Sequence, residues 1–324
     1  MIGLILISII FIFLISVSVY QKVNNAIYKS RKRLDGKTAI VTGGTAGIGF
    51  FIARVFAERG ARVIIACPFD DEGKDAKRKI KETTGVDVVF KHLDLASLAS
   101  VREFAKDILS TENRLDILVN NAGVGIPADY LTKDGLNFIM QVNYYGHFLL
   151  TMLLLPLLKK SGAQSDPSRI INMSSLTHRI ASTDVDNYNR TNYWFKLRIY
   201  SNSKLGLVLF SRELSRRLSD ANVVVNCSDP GFAATRIYKS ANEFLGLLAI
   251  MLILLLAKTT FQGAQTAIYL GVDDDGKTSG EYFANCRQVG ADSKGYNQIA
   301  IDKLWEQSIR LVKLTDDELK EAKL

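Results

Sequence analysis

The chain has 324 residues, 48% of them hydrophobic, and a net charge of +8. That is ample apolar material for a large core and length for one or two domains, and no Pro/Gly/Ser-rich linker divides it. Nucleic-acid binding would need a basic stripe with aromatics on a recognition motif, and none is present. Cys67, Cys227 and Cys286 are odd in number and lack metal-ligand spacing, so no metal site is expected; Cys67 and Cys227, at predicted strand ends, read as buried thiols.

Residues 2–20 carry no charge and are nearly all apolar, which at a helical rise just spans a bilayer core. A cleaved signal peptide would want a basic start and a shorter apolar run, and Ser16-Val17-Ser18 is a poor cleavage site. Residues 1–21 are therefore expected to be an uncleaved membrane anchor, with a buried helix as the rival reading. A basic linker over 22–35 follows, with Lys22, Lys29, Arg31, Lys32 and Arg33. By the positive-inside rule the remainder, 36–324, then faces the cytosol.

Ala39-Ile40-Val41 reads as a buried parallel strand. Gly43, Gly47 and Gly49 follow it, and Phe50 to Gly60 reads as an amphipathic helix closed by glycine. Strand, glycine-rich turn and helix N-terminus together make a pyrophosphate site, because free N–H groups and the positive helix end point at the ligand. The spacing is G-x3-G-x-G rather than G-x-G-x-x-G, and an ordinary strand–helix turn is the competing reading.

Arg62–Cys67 is the second strand, whose end reads the adenosine ribose in dinucleotide folds. Cys67-Pro68 places no carboxylate there to repel a 2′-phosphate, which favours NADP(H) over NAD(H). Asp70 and Asp71 lie just beyond and work against it. Lys74, Lys77, Arg78 and Lys79 are candidate phosphate partners or else a solvated helix face.

Further strands are expected at Val86–Phe90, Leu115–Val119, Arg169–Met173, Val223–Asn226 and Glu281–Ala284, about seven in all. Helices are expected from about Ser97, over Gly135–Lys160, from Tyr200 to about Ser219, and over 298–313. Asp94 could cap the helix near Ser97. Asn143 sits within the long helix, where an Asn is ordinarily solvent-facing or bonded to nearby backbone. Residues 181–199 form a polar loop, either a rim over a long substrate or surface elaboration. Tyr200 and Lys204 share one helix face at i and i+4, whereas neither Tyr188 nor Tyr193 has a lysine four residues on. Residues 244–257 are uniformly apolar but short for a membrane span, and read as a helix that dips into the membrane interface or as a buried core helix.

Thr42-Gly43-x3-Gly47-x-Gly49, Asn120-Asn121-Ala122-Gly123, Tyr200-x3-Lys204 and Pro230-Gly231 occur in that order. Together they resemble the short-chain dehydrogenase/reductase family over roughly residues 36–290. Gln141-Val-Asn-Tyr-Tyr-Gly-His-Phe-Leu-Leu-Thr151 and Ile171-Asn-Met-Ser-Ser-Leu-Thr-His178 are similar to its membrane-anchored retinol dehydrogenase branch.

The resemblance implies an α/β fold with a single Rossmann-type doubly wound parallel sheet, and hydride transfer between a nicotinamide cofactor and an alcohol or carbonyl. It implies Tyr200 as acid–base group, Lys204 lowering its pKa, Ser175 holding the substrate oxygen and Asn143 holding a water in a proton path. His178 is then structural or pocket-lining. It implies cofactor contacts from Thr42, Gly43, Thr45, Gly47, Ile48, Gly49, Asp94, Leu95, Asn121, Ala122, Gly123, Tyr200, Lys204, Pro230, Gly231 and Thr235, and a substrate lid over about 236–258. Expected substrates are lipid alcohols or aldehydes of retinoid or polyisoprenoid type. The alternatives are a steroid or small carbonyl, or a membrane-tethered cofactor-binding scaffold without turnover. The resemblance suggests the endoplasmic reticulum, with lipid droplets as the alternative membrane, and a homodimer through the helices near 135 and 200 as an open expectation.

Overall fold

The computed structural model describes residues 16, 19, 25–125, 130–195, 197–231, 257–273 and 278–322. Apart from Ser16 and Val19, the expected anchor lies outside the described residues, as do Thr235 and all of the expected lid except Ala257 and Lys258.

Eight strands form one sheet in the order β3-β2-β1-β4-β5-β6-β7-β8. They are β1 (Thr38–Thr42), β2 (Arg62–Cys67), β3 (Val89–His92), β4 (Ile117–Asn120), β5 (Ser168–Met173), β6 (Val223–Asp229), β7 (Tyr282–Ala284) and β8 (Arg287–Gln288). The first seven run parallel and β8 is antiparallel to β7. β1 is buried along its whole length and β2 at every position after Arg62, as parallel strands covered on both faces must be.

β4 runs two residues later at its start and one at its end than expected, β7 starts one residue later, and three larger differences stand out. β8 was not counted, because its two residues are exposed and carry no apolar signal; Asn285 and Cys286, both at positive φ, make the tight turn that creates it. β3 starts at Val89 instead of Val86, since Gly85 closes the preceding helix in the left-handed conformation and the next residues carry the chain to the sheet edge. β6 continues three residues past Asn226, where Cys227, Ser228 and Asp229 pair with β7.

Helices α1 (Gly47–Glu58), α2 (Asp70–Thr84) and α6 (Thr260–Val272) share one apolar core with one face of the sheet. Helices α3 (Leu98–Thr111), α4 (Phe138–Ser161) and α5 (Leu197–Arg217) share a second core with the other face. This is the doubly wound arrangement, and it puts ligands at the carboxyl ends of the strands.

α4 is long and apolar enough to cross a membrane, yet 89% of its most apolar window is buried inside the protein, so it is a core helix. It begins at Phe138, capped by the Asn137 side chain, while Gly135 sits at positive φ in the turn before it. A π-helical turn over Gln141–Tyr145 widens it around Asn143.

Two C-terminal helices, α7 (Gln298–Leu311) and α8 (Asp316–Ala322), close the α4/α5 side. Trp305 of α7 packs edge-on to Phe148 and stacks on Phe210, and Tyr144 bonds Ser308. Lys159 donates to the carbonyl of Ala322 on α8. α7 and α8 thus each pack against part of α4, and α7 also against α5. On the opposite face, residues 26–34 form a strap along α1 and α6. Tyr28 N–H donates to Gln265, and Arg59 donates to the carbonyls of Ser30 and Lys32.

Candidate active site

The glycine turn after β1 is built by close approach. Gly43 and Gly47 have φ of +62° and +56°, the left-handed region open to glycine. A Cβ on Gly49 would stand 2.3 Å from the Gly43 carbonyl oxygen and 2.4 Å from the Asn121 Nδ2. Asn121 ties the turn to β4: its Nδ2 donates to the Thr42 carbonyl at 2.8 Å, and the backbone N–H groups of Asn121 and Ala122 donate to Thr42 Oγ1 at 2.9 and 3.0 Å. Thr45 and the buried Ile48 complete the turn and the first step of α1.

Behind Thr42 lies His147, on which sequence reasoning placed no role. Its Nε2 is 2.9 Å from Thr42 Oγ1 and its Nδ1 is 3.2 Å from the Asn143 carbonyl oxygen. Burial pushes its pKa down to about 3, so the ring is neutral. Facing a carbonyl, Nδ1 must carry the proton; Nε2 therefore accepts, and Thr42 donates its hydroxyl proton to it. His147 so couples the π turn of α4 to the glycine turn of β1. Only its neighbourhood in the Asn143 motif could have hinted at this.

Asn143 is fully buried. Its Oδ1 accepts from Val124 N–H at 2.8 Å, and its Nδ2 donates to the Val124 carbonyl at 3.0 Å and to Ser203 Oγ at 3.1 Å. Gly123 borders the space beside it: a Cβ there would lie 3.5 Å from Asn143 Oδ1 and 3.6 Å from Lys204 Nζ.

Lys204 is 4% exposed, and its Nζ donates to the Met173 carbonyl at 2.9 Å. Burial pushes its pKa down to about 8. Its ammonium is 5.5 Å from the centroid of the Tyr200 ring, as their positions on consecutive turns of α5 dictate. Tyr200 itself is half-buried.

The two serines after β5 separate cleanly. Ser174 is buried and donates to the Lys204 carbonyl at 2.9 Å, whereas Ser175 is only half-buried and its Oγ accepts from Thr177 N–H at 3.3 Å. His178 spans from the Ser175 carbonyl (Nδ1, 2.8 Å) to the backbone N–H of Asp292 (Nε2, 3.1 Å), and burial lowers its pKa. It ties the turn that follows Ser175 to the backbone at Asp292.

Pro230 and Gly231 follow β6, with Gly231 at φ +71° and its N–H bonded to Asp229 Oδ1 at 2.8 Å. The other Asp229 oxygen accepts from Tyr282 at 2.7 Å, a buried pair with no sequence signal. Asp94 accepts from Ala96 N–H at 2.8 Å, while Ser97 caps α3; Leu95 is buried in the core. Of the phosphate candidates, Arg78 pairs with Asp75 and Glu82 and Lys79 with Asp75, all within α2. Among the described residues no cluster of three His, Cys, Asp or Glu could hold a metal ion.

Residues 37–246 match the family model for short chain dehydrogenases. The chain belongs to the short-chain dehydrogenase family. It is 38% identical to retinol dehydrogenase 11 of Mus musculus over 319 residues, covering 97% of this chain and 98% of that one. It is 38% identical to polyprenol dehydrogenase of Homo sapiens over 284 residues, covering 86% of each. Among solved structures, the RhlG/NADP active-site complex of Pseudomonas aeruginosa aligns at 30% identity with a TM-score of 0.64, over 78% of this chain and 95% of that one. This short-chain dehydrogenase is accordingly an NAD(P)-dependent enzyme acting on alcohols, with a fold that binds a nicotinamide cofactor.

Proposed function

We propose that this short-chain dehydrogenase interconverts a long hydrophobic alcohol and its aldehyde or ketone, of retinoid or polyisoprenoid type, with NADP(H) and with Tyr200 as the acid–base group. The observation that carries the reading is the Tyr200–Lys204 pair, a half-buried phenol beside a buried ammonium on one face of α5. The names of the relatives, a retinol and a polyprenol dehydrogenase, support the lipid class of substrate.

The glycine turn at Gly43, Gly47 and Gly49 and the N-terminus of α1 suit a pyrophosphate, because no Cβ stands between the ligand and the backbone N–H groups. Thr42, Thr45 and Ile48 frame that turn, Asp94 and Leu95 are assigned to the adenine, and Asn121, Ala122, Gly123, Pro230, Gly231 and Thr235 to the rest of the cofactor. A nicotinamide, when bound, supplies or accepts the hydride. A phenol near pKa 10 is a poor base at neutral pH, and a cation beside it favours the phenolate. With a pKa of about 8, Lys204 still carries that charge at pH 7. Tyr200 then takes the alcohol proton during oxidation or returns one during reduction, and Ser175 donates a hydrogen bond to the substrate oxygen. Asn143 holds Val124 and Ser203 in place and leaves its second Oδ1 lone pair for a water on the proton path from Lys204.

NADP(H) is preferred because Cys67 and Pro68 offer no carboxylate at the end of β2, and the Cys67 thiol is bonded to the Phe69 backbone. With Arg78 and Lys79 engaged in ion pairs, Lys74 and Lys77 are the remaining cations of α2 near that end. The N-terminal segment anchors the enzyme in the endoplasmic reticulum membrane, with the catalytic domain in the cytosol.

The test is a turnover assay on the full chain in detergent. NADPH and NADH absorbance is followed with retinal, a polyprenal and a small soluble aldehyde, with Tyr200→Phe alongside. The expected result is NADPH-linked reduction of the long aldehydes that falls about 10²–10⁴-fold in the variant. Full activity in Tyr200→Phe would refute the assignment of the acid–base group, and turnover confined to the small aldehyde would refute the lipid class.

A further inference from the structure

Four large apolar side chains stand in solvent on two short segments beside the reacting groups. Leu176 and Ile180, 57% and 48% exposed, lie in the turn that follows Ser175. Trp194 and Phe195, 99% and 48% exposed, lie just before α5 and Tyr200. Ser182, just past the first segment, donates its N–H to Asn202 Oδ1 at 3.0 Å on α5, the helix that the second segment leads into. Arg179 and Arg198, both exposed, alternate with the apolar residues. A soluble surface gains nothing from a bare indole, whereas a lipid–water boundary favours aromatic rings with arginines reaching to the headgroups.

Two chain paths lead to the same edge. Ala26 N–H donates to Asn285 Oδ1 at 2.8 Å. Asn285 follows β7, which runs parallel to β6 and β5, so it lies at the carboxyl edge where Ser175 follows β5. The strap therefore begins at that edge, and the uncharged residues 2–20 precede it in the sequence. Gly231, just past β6, faces Lys258: a Cβ on Gly231 would meet Lys258 Cε at 3.0 Å. Gly231 and Lys258, which bracket the apolar residues 244–256 in the sequence, thus meet at that edge.

We propose that the part of the carboxyl edge beyond β5 meets the phospholipid bilayer, with Leu176, Ile180, Trp194 and Phe195 at the boundary between headgroups and acyl chains and the glycine turn after β1 left to water, so that substrate passes from lipid to Tyr200 without crossing water. The inference rests on the membrane-anchored reading given above and adds to it which face meets the membrane and which side chains enter.

The chain has two tryptophans, and Trp305 is buried in the core, so Trp194 alone reports on the surface. Full-length protein is reconstituted in phosphatidylcholine vesicles with and without brominated acyl chains, and flotation, tryptophan emission and activity are read together. Brominated lipid should quench the emission share that Trp194→Phe removes and leave Trp305 unquenched. Leu176→Asp with Trp194→Asp should raise the KM for a vesicle-borne long aldehyde roughly tenfold and leave turnover of a water-soluble aldehyde unchanged. Floating protein whose Trp194 is quenched by aqueous iodide and not by brominated lipid would overturn the proposed face and leave the anchor standing. Protein that does not float would overturn both.

Discussion

The two edges of one sheet are built from different chemistry. At the amino edge, buried carboxylates are matched to partly exposed cations: Asp116 accepts from Arg114, from Thr38 N–H and from Lys37, and Glu112 takes Arg62 in a two-point bond. Burial opposes the Asp116 charge, but the bonds from Arg114, Thr38 and Lys37 outweigh it and hold the carboxyl below the usual range. At the carboxyl edge the ionisable groups are buried with few opposite charges. Lys204 is pushed down to about 8 and His147 to about 3, in both cases by burial, and each is bonded to a carbonyl instead of a carboxylate. One edge spends its polar groups on stability, and the other holds a costly cation where a phenol needs it.

The largest effect that would break this contrast comes from Lys204→Met. Activity should fall about 10²–10⁴-fold in a turnover assay, because Tyr200 loses the cation that favours its phenolate. Stability should rise by about 2 kcal/mol at pH 7, since the variant no longer desolvates an ammonium, less the cost of the unpaired Met173 carbonyl. The pH window follows from linkage. With a folded pKa of about 8 and an ordinary value of 10.5, the wild-type native state binds fewer protons than the unfolded chain between those limits, so its stability rises with pH there. The advantage of the variant is therefore greatest below pH 8 and gone by about 10.5. Urea unfolding of both proteins at pH 7 and pH 10 tests it; an advantage unchanged by pH would mean that Lys204 carries no such penalty.

Gly49→Ala should come next. A methyl 2.3 Å from a carbonyl oxygen forces the turn apart, and a loss of about 3 kcal/mol or of measurable cofactor binding is expected in thermal unfolding and titration. His147→Leu removes the bonds to Thr42 Oγ1 and to the Asn143 carbonyl and leaves the Thr42 hydroxyl only its longer 3.3 Å bond to the Val119 carbonyl, at a cost of about 1 kcal/mol at pH 7. It should also flatten the acid limb. The native ring takes up no proton until about pH 3 while the unfolded one does so near 6.5, so wild-type stability falls as pH drops through that interval, and the variant lacks this contribution. A variant with an acid limb as steep as wild type would show that His147 is not held neutral.

The sequence made the carboxyl edge legible where function depends on residue type at fixed spacing. Gly43, Gly47 and Gly49 are read from the chain because only glycine admits that turn, and Tyr200 with Lys204 because a helix puts i and i+4 together. It was silent where a contact joins distant segments through unremarkable residues. Thr42 to His147 spans 105 positions and Asp229 to Tyr282 spans 53, and no local pattern marks either. The short β8 and the displaced β3 were missed for a related reason. A two-residue exposed strand has no alternation, and the start of β3 is set by where α2 stops. The π turn around Asn143 was hidden as well, because it leaves the apolar pattern of α4 intact.

The smallest expected effect sharpens the contrast from the other side. Lys37→Met removes the ion pairs of a quarter-exposed lysine with Asp116 and Asp166. Asp116 keeps Arg114 at 2.6 Å and the Thr38 N–H at 2.9 Å, so its charge stays satisfied. The cost should be about 1 kcal/mol in urea unfolding, since Asp116 keeps its other donors, and the share from the exposed Asp166 partner should shrink in high salt. Neither KM nor kcat should move, because β1 is buried along its length and the pair sits at the opposite end from Thr42. A change in cofactor affinity in Lys37→Met would show that strain at the amino edge travels along β1 to the glycine turn, and the two edges would then be one coupled unit.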